Sequence, residues 1–207
     1  MGVLSDLLDS PRWYNVRDSW GYSLLQIAIL RDKYVACENL QIAKCTIFSI
    51  EVFDYMLSIP DFPLEFVNKE GQTALVVALD CYVSNDIWMK EHFAYELIKK
   101  GACIDKVCFQ GDTPLHRALD RSHYRAAKLL IERGADVNAP DSEHDTPLAT
   151  TLYRGKSELI MTLLVYGAEP TVFNFEQSVL YNNTFEVKEI IFLYIYDEYS
   201  NLELRLD

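Results

Sequence analysis

Apolar residues return along the middle of the chain at the spacing of short helices, not of strands. Leu115, Ala118 and Leu119 share one face of a helix that opens near residue 114, and Ala126, Ala127, Leu129, Leu130 and Ile131 form the apolar side of a second. Recurrence at three and four residues is the helical signature. A helix pair this short cannot bury its own apolar faces, whereas several pairs stacked side by side share one continuous core. The polar and small residues between the helices are themselves periodic. Gly101-Ala102, Gly134-Ala135 and Gly167-Ala168 stand 33 residues apart, as do Thr113 and Thr146. A fixed period of this length is the mark of a repeat architecture.

Each punctuating residue has a physical task. Thr113 and Thr146 can accept a backbone N–H bond at a helix start, and Pro114 and Pro147 suit the first helical position, whose N–H has no partner in any case. Gly134 supplies the left-handed residue that ends the second helix. Asp136 and Asn138 suit the following turn, because their short side chains bond to nearby backbone. The run Gly111 to Ala118 with Thr-Pro-Leu-His at its centre, the closing Gly-Ala-Asp-Val-Asn at 134–138, and Asp145-Thr146-Pro147-Leu148 resemble the ankyrin repeat family. The resemblance implies an all-α, ankyrin-repeat solenoid whose helix-turn-helix units are joined by hairpin loops, and a protein-binding scaffold. It also implies that His116 and His123 serve hydrogen bonding within the scaffold.

The period extends outward. Asn68 to Leu75 repeats the opening with Ala74 and Val76 where Pro and His would sit, and Asp18 to Leu25 repeats it with Ser23 as the cap. Before it, Val3, Leu4, Leu7 and Leu8 read as the last helix of a half-repeat. Asn174 to Leu180 keeps traces of the opening, and Thr184 to Tyr196 reads as a final helix. The expectation is one domain over 1–207: a half-repeat cap at 1–14, about five units at 15–67, 68–105, 106–138, 139–170 and 171–207, the last a degenerate cap.

Two units are long. From capping hydroxyl to closing Leu takes 17 residues in Thr113 to Leu130, 24 in Thr73 to Leu97 and 34 in Ser23 to Leu57. The excesses of 7 and 17 residues both fall between the helices of their units. Seven is close to two helical turns, so the second insert is expected to lengthen its helices. Tyr34, Val35, Tyr82, Val83, Trp88 and Met89 then either extend the core or form an apolar ledge for a partner. The final helix carries two apolar sides, one of Val187, Ile190, Ile191, Tyr194 and Ile195, the other of Phe185, Phe192, Tyr196 and Tyr199. One side covers the stack; the other is covered by the acidic tail at 197–207 or by another protein.

Stacked repeats leave the hairpin tips and the ends of the first helices free of core duty. The candidate partner-binding residues there are Trp20, Tyr22, Arg31, Lys69, Phe109, Gln110, Asp112, Arg121, Tyr153 and Arg154. Trp88, Met89, Phe185, Phe192 and Tyr196 are the candidates for a second interface. Aromatic and Arg side chains dominate interface energetics, although scattered surface aromatics alone need no function. Between Leu97 and Arg133 eight basic residues face four acidic ones, a local +4. Within it, Arg117, Arg121 and Arg125 read either as a dock for an acidic segment or as a solvated face with local ion pairs.

Composition narrows the rest. Nineteen basic and 31 acidic residues give a net charge of −12, the wrong sign for a general nucleic-acid binder. No apolar run approaches a membrane span, and neither a signal peptide nor a complete myristoylation pattern opens the sequence. Cys37, Cys45, Cys81, Cys103 and Cys108 lack a C-x-x-C pair and read as reduced thiols of a cytoplasmic or nuclear protein. There is no Gly-rich phosphate loop, no G-x-S-x-G and no H-E-x-x-H, so neither enzyme activity nor a cofactor or metal is expected. The partner expected is another protein, a cell-cycle protein kinase first by analogy with small ankyrin regulators of such kinases. A transcription factor, or self-association through the C-terminal helix, is the alternative.

Overall fold

Thr113 shows how the repeat begins. Its extended backbone (φ −79°, ψ 162°) turns the side chain back over the helix start, where it accepts from the His116 N–H, and Pro114 follows at the first helical position. The computed structural model describes residues 17–34, 46–80, 87–108, 111–154 and 157–170, together with 176, 188–189, 191–193 and 196. Among the described residues the named helices are α1 (Leu24–Tyr34), α2 (Thr46–Ser58), α3 (Ala74–Asp80), α4 (Ile87–Lys99), α5 (Pro114–Asp120), α6 (Tyr124–Glu132), α7 (Pro147–Arg154) and α8 (Ser157–Val165). No strand occurs among them, only an isolated bridge between Arg17 and Ser23. None of the described helices is long and apolar enough to cross a membrane.

The chain divides into two compact units, Met1–Phe109 and Gln110–Asp207. In the first, α1 pairs with α2, α3 pairs with α4, and α1 lies beside α3. Phe53 of α2 meets Phe93 of α4 edge-on at 4.7 Å, which joins the two second helices. In the second unit, α5 pairs with α6 and α7 with α8, while α5 lies beside α7 and α6 beside α8. The predicted apolar faces are the core: Ile29, Leu75, Leu79, Leu97 and Ile98 in one unit, and Leu115, Leu119, Leu130, Leu148 and Leu152 in the other, are all but inaccessible. Each such side chain contributes about 1.5–3 kcal/mol by leaving water. Ala118, Ala126 and Ala127 are fully buried, and their small size lets the helices approach closely.

The 33-residue Gly-Ala period is a helix stop. Gly101, Gly134 and Gly167 take φ of 88°, 88° and 90°. The next residue's N–H then reaches back five positions, Ala102 to the Leu97 carbonyl, Ala135 to Leu130 and Ala168 to Leu163, at 2.9–3.0 Å. This is the Schellman closure, which satisfies carbonyls that the helix end would leave unpaired. The longer second repeat keeps a first helix of 7 residues, the length of α5. Its second helix grows to 13 residues, against 9 in α6. Among the described residues the extra turn is in the second helix. The half-repeat at 1–14, and Val35, Tyr82 and Val83, lie outside the described residues, as do the side chains of Tyr34, Trp88 and Met89.

A buried polar latch ties the two repeats of each unit. In the second unit His116 accepts from the Thr113 N–H at 3.3 Å, and its Nε2 lies 3.2 Å from the Asp145 carbonyl in the next repeat. The first unit has no such histidine. There the Gln26 side-chain oxygen accepts from the Ser23 N–H at 2.9 Å, the Gln26 N–H returns to Ser23 Oγ at 3.3 Å, and the Gln26 amide donates to the Gln72 carbonyl at 2.8 Å. Ser23 with Gln26 is thus a capping box that also crosses to the neighbouring repeat.

Candidate functional site

Three of the tips before the first helices are built on one carboxylate or amide. Asp18 Oδ1 accepts from the N–H groups of Trp20 (3.0 Å) and Tyr22 (2.8 Å), and Gly21, at φ 83°, closes the turn onto the Asp18 carbonyl. Asn68 Oδ1 does the same for Glu70 and Gln72, and Asp141 Oδ1 for Glu143 and Asp145, all within 2.8–3.0 Å. In the last of these turns His144 takes the glycine's place at φ 66°. Short Asp and Asn side chains favour this geometry because they bond to backbone two residues on. Cys108 stands at the equivalent position of the third repeat, with a thiol, a weak acceptor, in place of the carboxylate or amide.

In the first unit the two tips are laced together. The Lys69 N–H donates to the Trp20 carbonyl at 3.4 Å, and the Lys69 ammonium donates to the Ser19 carbonyl at 2.6 Å. A Cβ on Gly21 would come within 3.0 Å of Lys69 Cγ, so glycine is needed there for room as well as for φ. The turn thrusts Trp20 outward, 60% exposed. Tyr22 is half-buried; burial first, then Glu70, pushes its hydroxyl above the usual tyrosine range, opposed by a hydrogen bond with Asn68. Trp20 is thus presented, whereas Tyr22 and Lys69 also hold the scaffold. Arg31 lies on α1, with its side chain outside the described residues.

In the second unit the candidates turn inward. Asp112 pairs with Arg117 at 2.8 Å, and Arg121 with Asp120 at 3.6 Å. Burial pushes the Asp112 carboxyl above the usual carboxylate range despite the Arg117 charge. The Tyr153 hydroxyl donates to Asp145 Oδ1 at 3.5 Å. Two of the three arginines read as a dock for an acidic segment therefore make local ion pairs. Arg154 is on α7 and Trp88 and Met89 are on α4, all three with side chains outside the described residues. Phe109, Gln110 and Phe185 also lie outside them.

Toward the C-terminus Ile191 is buried, while Phe192 and Tyr196 are 51% and 63% exposed, their rings stacked at 6.1 Å and 21°. Sequence reasoning missed a further apolar row. Met161, Val165 and Tyr166 are exposed on and just after α8. One period earlier the same positions hold Lys128, Glu132 and Arg133, so overlaying the repeats would have revealed it. Among the described residues no group of three or more His, Cys, Asp or Glu is arranged to hold a metal.

Known proteins share these features. A family model of three ankyrin repeats matches residues 40–141. A protein of fowlpox virus (strain NVSL), named as an ankyrin repeat protein, is 37% identical over 71 residues, 32% of this chain and 14% of its own length. An ankyrin repeat protein of monkeypox virus is 49% identical over 45 residues, 22% of this chain and 8% of its own. The chain thus spans less than a sixth of either relative. Capped hairpins, 33-residue stops and these matches show that the chain carries ankyrin repeats, a repeat type that serves as a protein–protein interaction module.

Proposed function

We propose that this chain is a non-enzymatic adaptor that holds one partner protein against its hairpin tips, with Trp20 as the principal anchor. The observation that carries the reading is a large aromatic side chain, 60% exposed, on a turn braced by hydrogen bonds to Asp18 and Lys69. An anchor on a rigid mount loses little entropy on binding, and aromatic anchors supply most of the energy of an interface. A protein kinase of the cell-cycle type comes first among partner classes, by analogy of architecture with short ankyrin regulators of such kinases, and a transcription factor second. A cytoplasmic or nuclear location accompanies either. The test is co-purification from native extract, with kinase activity assayed in the eluate. The Trp20→Ala, Phe109→Ala, Tyr153→Ala triple variant is expected to lose the partner; retention of every partner refutes the choice of face, and an eluate without kinase activity refutes the kinase class.

The stacked, exposed Phe192 and Tyr196 favour a second reading, self-association through the C-terminal helix. Sedimentation of the wild type and of Phe192→Asp distinguishes it, since a dimer that dissociates in the variant supports self-association and a wild-type monomer refutes it.

A further inference from the structure

His116 is 3% exposed, and its two ring nitrogens face opposite demands. The Asp145 carbonyl, 3.2 Å from Nε2, can only accept, so Nε2 carries the proton. Nδ1 is then the bare nitrogen, accepting from the Thr113 N–H at 3.3 Å and lying 2.9 Å from Thr113 Oγ1. A neutral ring in one tautomer serves every contact. A further proton has only Nδ1 to occupy; Thr113 Oγ1, 2.9 Å away, can accept it, but the Thr113 N–H, a buried backbone donor, then loses its acceptor. The first unit performs the same task with Gln26, whose amide both accepts from Ser23 and donates to Gln72 and does not titrate.

We propose that His116 is an acid-sensitive latch, whose protonation opens the cap of α5 and its tie to the turn before α7 while the Gln26 latch stays closed. The charged groups around the ring are Asp112, with Arg117 paired to it, from the start of α5, and Asp141 and Asp145 from the neighbouring turn. The three carboxylates favour a charged ring. Burial opposes them, outweighs them and holds the ring below the usual histidine range. Folding therefore favours the neutral ring. Its contribution is complete above about pH 6.5, the ordinary histidine value, and is lost as the pH falls from there toward the lower folded-state value. Asp112 cannot produce this loss. Its carboxyl is raised, so its contribution is present at low pH and lost as the pH rises.

The experiment uses the full chain. NMR follows the His116 ring and the Thr113 and Ser23 amides from about pH 7.5 to about pH 5, and thermal unfolding compares the wild type with His116→Gln, which copies the latch of the first unit. The ring is expected to titrate below about pH 6.5, with the Thr113 amide moving at the same midpoint and the Ser23 amide still. The wild-type Tm is expected to fall by about 5 °C across that range while the Gln variant holds. Equal acid loss in wild type and variant overturns the proposal, as does a ring that titrates without moving Thr113. Should the variant fail to fold, the wild-type titration decides in either direction.

Discussion

The two units close the same joint with different chemistry. In one, Ser23 and Gln26 form the cap and Gln26 reaches Gln72; in the other, Thr113 and His116 form it and His116 reaches Asp145. The requirement is a side chain three residues after the cap that accepts with one atom and donates with another. Histidine is one answer and glutamine a second, so the first unit belongs to the repeat pattern although it lacks Thr-Pro-Leu-His. A second joint shows the same economy. Asn138 donates to the Gly167 carbonyl and accepts from the Glu169 N–H, both at 2.9 Å. At the corresponding place Glu65 accepts from the Cys103 N–H at 2.7 Å, and a carboxylate has no N–H with which to complete the pair.

The comparison can be broken most forcefully at the tip glycines. A Cβ on Gly111, at φ 79°, would lie 2.9 Å from the Ser142 backbone nitrogen, and on Gly21 slightly farther out, 3.0 Å from Lys69 Cγ and 3.1 Å from the Lys69 backbone nitrogen. Gly111→Ala is expected to cost about 3 kcal/mol or more, from left-handed strain plus overlap, and Gly21→Ala about 2 kcal/mol. Gly134, with nothing within 4 Å, serves as control at about 1 kcal/mol. Urea unfolding measures all three, and equal losses would mean that close approach of the tips is not what demands glycine.

The latch residues come next. Gln26→Ala and His116→Ala each remove a cap and an inter-repeat bond, leaving buried backbone groups unpaired, and each is expected to cost about 2 kcal/mol. Amide exchange resolved by peptide should place the first loss at 17–34 and 66–80 and the second at 111–154. A loss spread evenly over both units would contradict one latch per unit. The smallest effect is at the second joint, where Asn138→Ala is expected to cost about 1 kcal/mol and Glu65→Ala about half that. The ratio sharpens the count of two bonds against one, and a larger cost at Glu65 would reverse it.

The stretch from Thr113 to Asn138 was legible almost residue by residue, because capping hydroxyl, proline, apolar face and stop glycine each act on their own neighbours. The stand-ins were harder to read. Gln26 finds Gln72 46 residues away, a pairing no local spacing announces. Asp61 and His144 adopt left-handed conformations, φ 56° and 66°, that sequence assigns to glycine first. The candidate face was legible in position but not in side-chain fate. The hairpin tips lie just before the capping residues Ser23, Thr73, Thr113 and Thr146, as the sequence places them, yet Asp112 turns to Arg117 and Tyr153 to Asp145. Which way a polar side chain turns depends on partners brought near only by folding.

The added length of the second repeat lies wholly behind its stop signals. Because α4 ends in the same Gly-Ala closure as its shorter counterpart, four more residues, 13 against 9, leave the geometry of that closure unchanged. A lineage can therefore lengthen or trim this second helix, trying new surfaces on it, without altering how the helix ends.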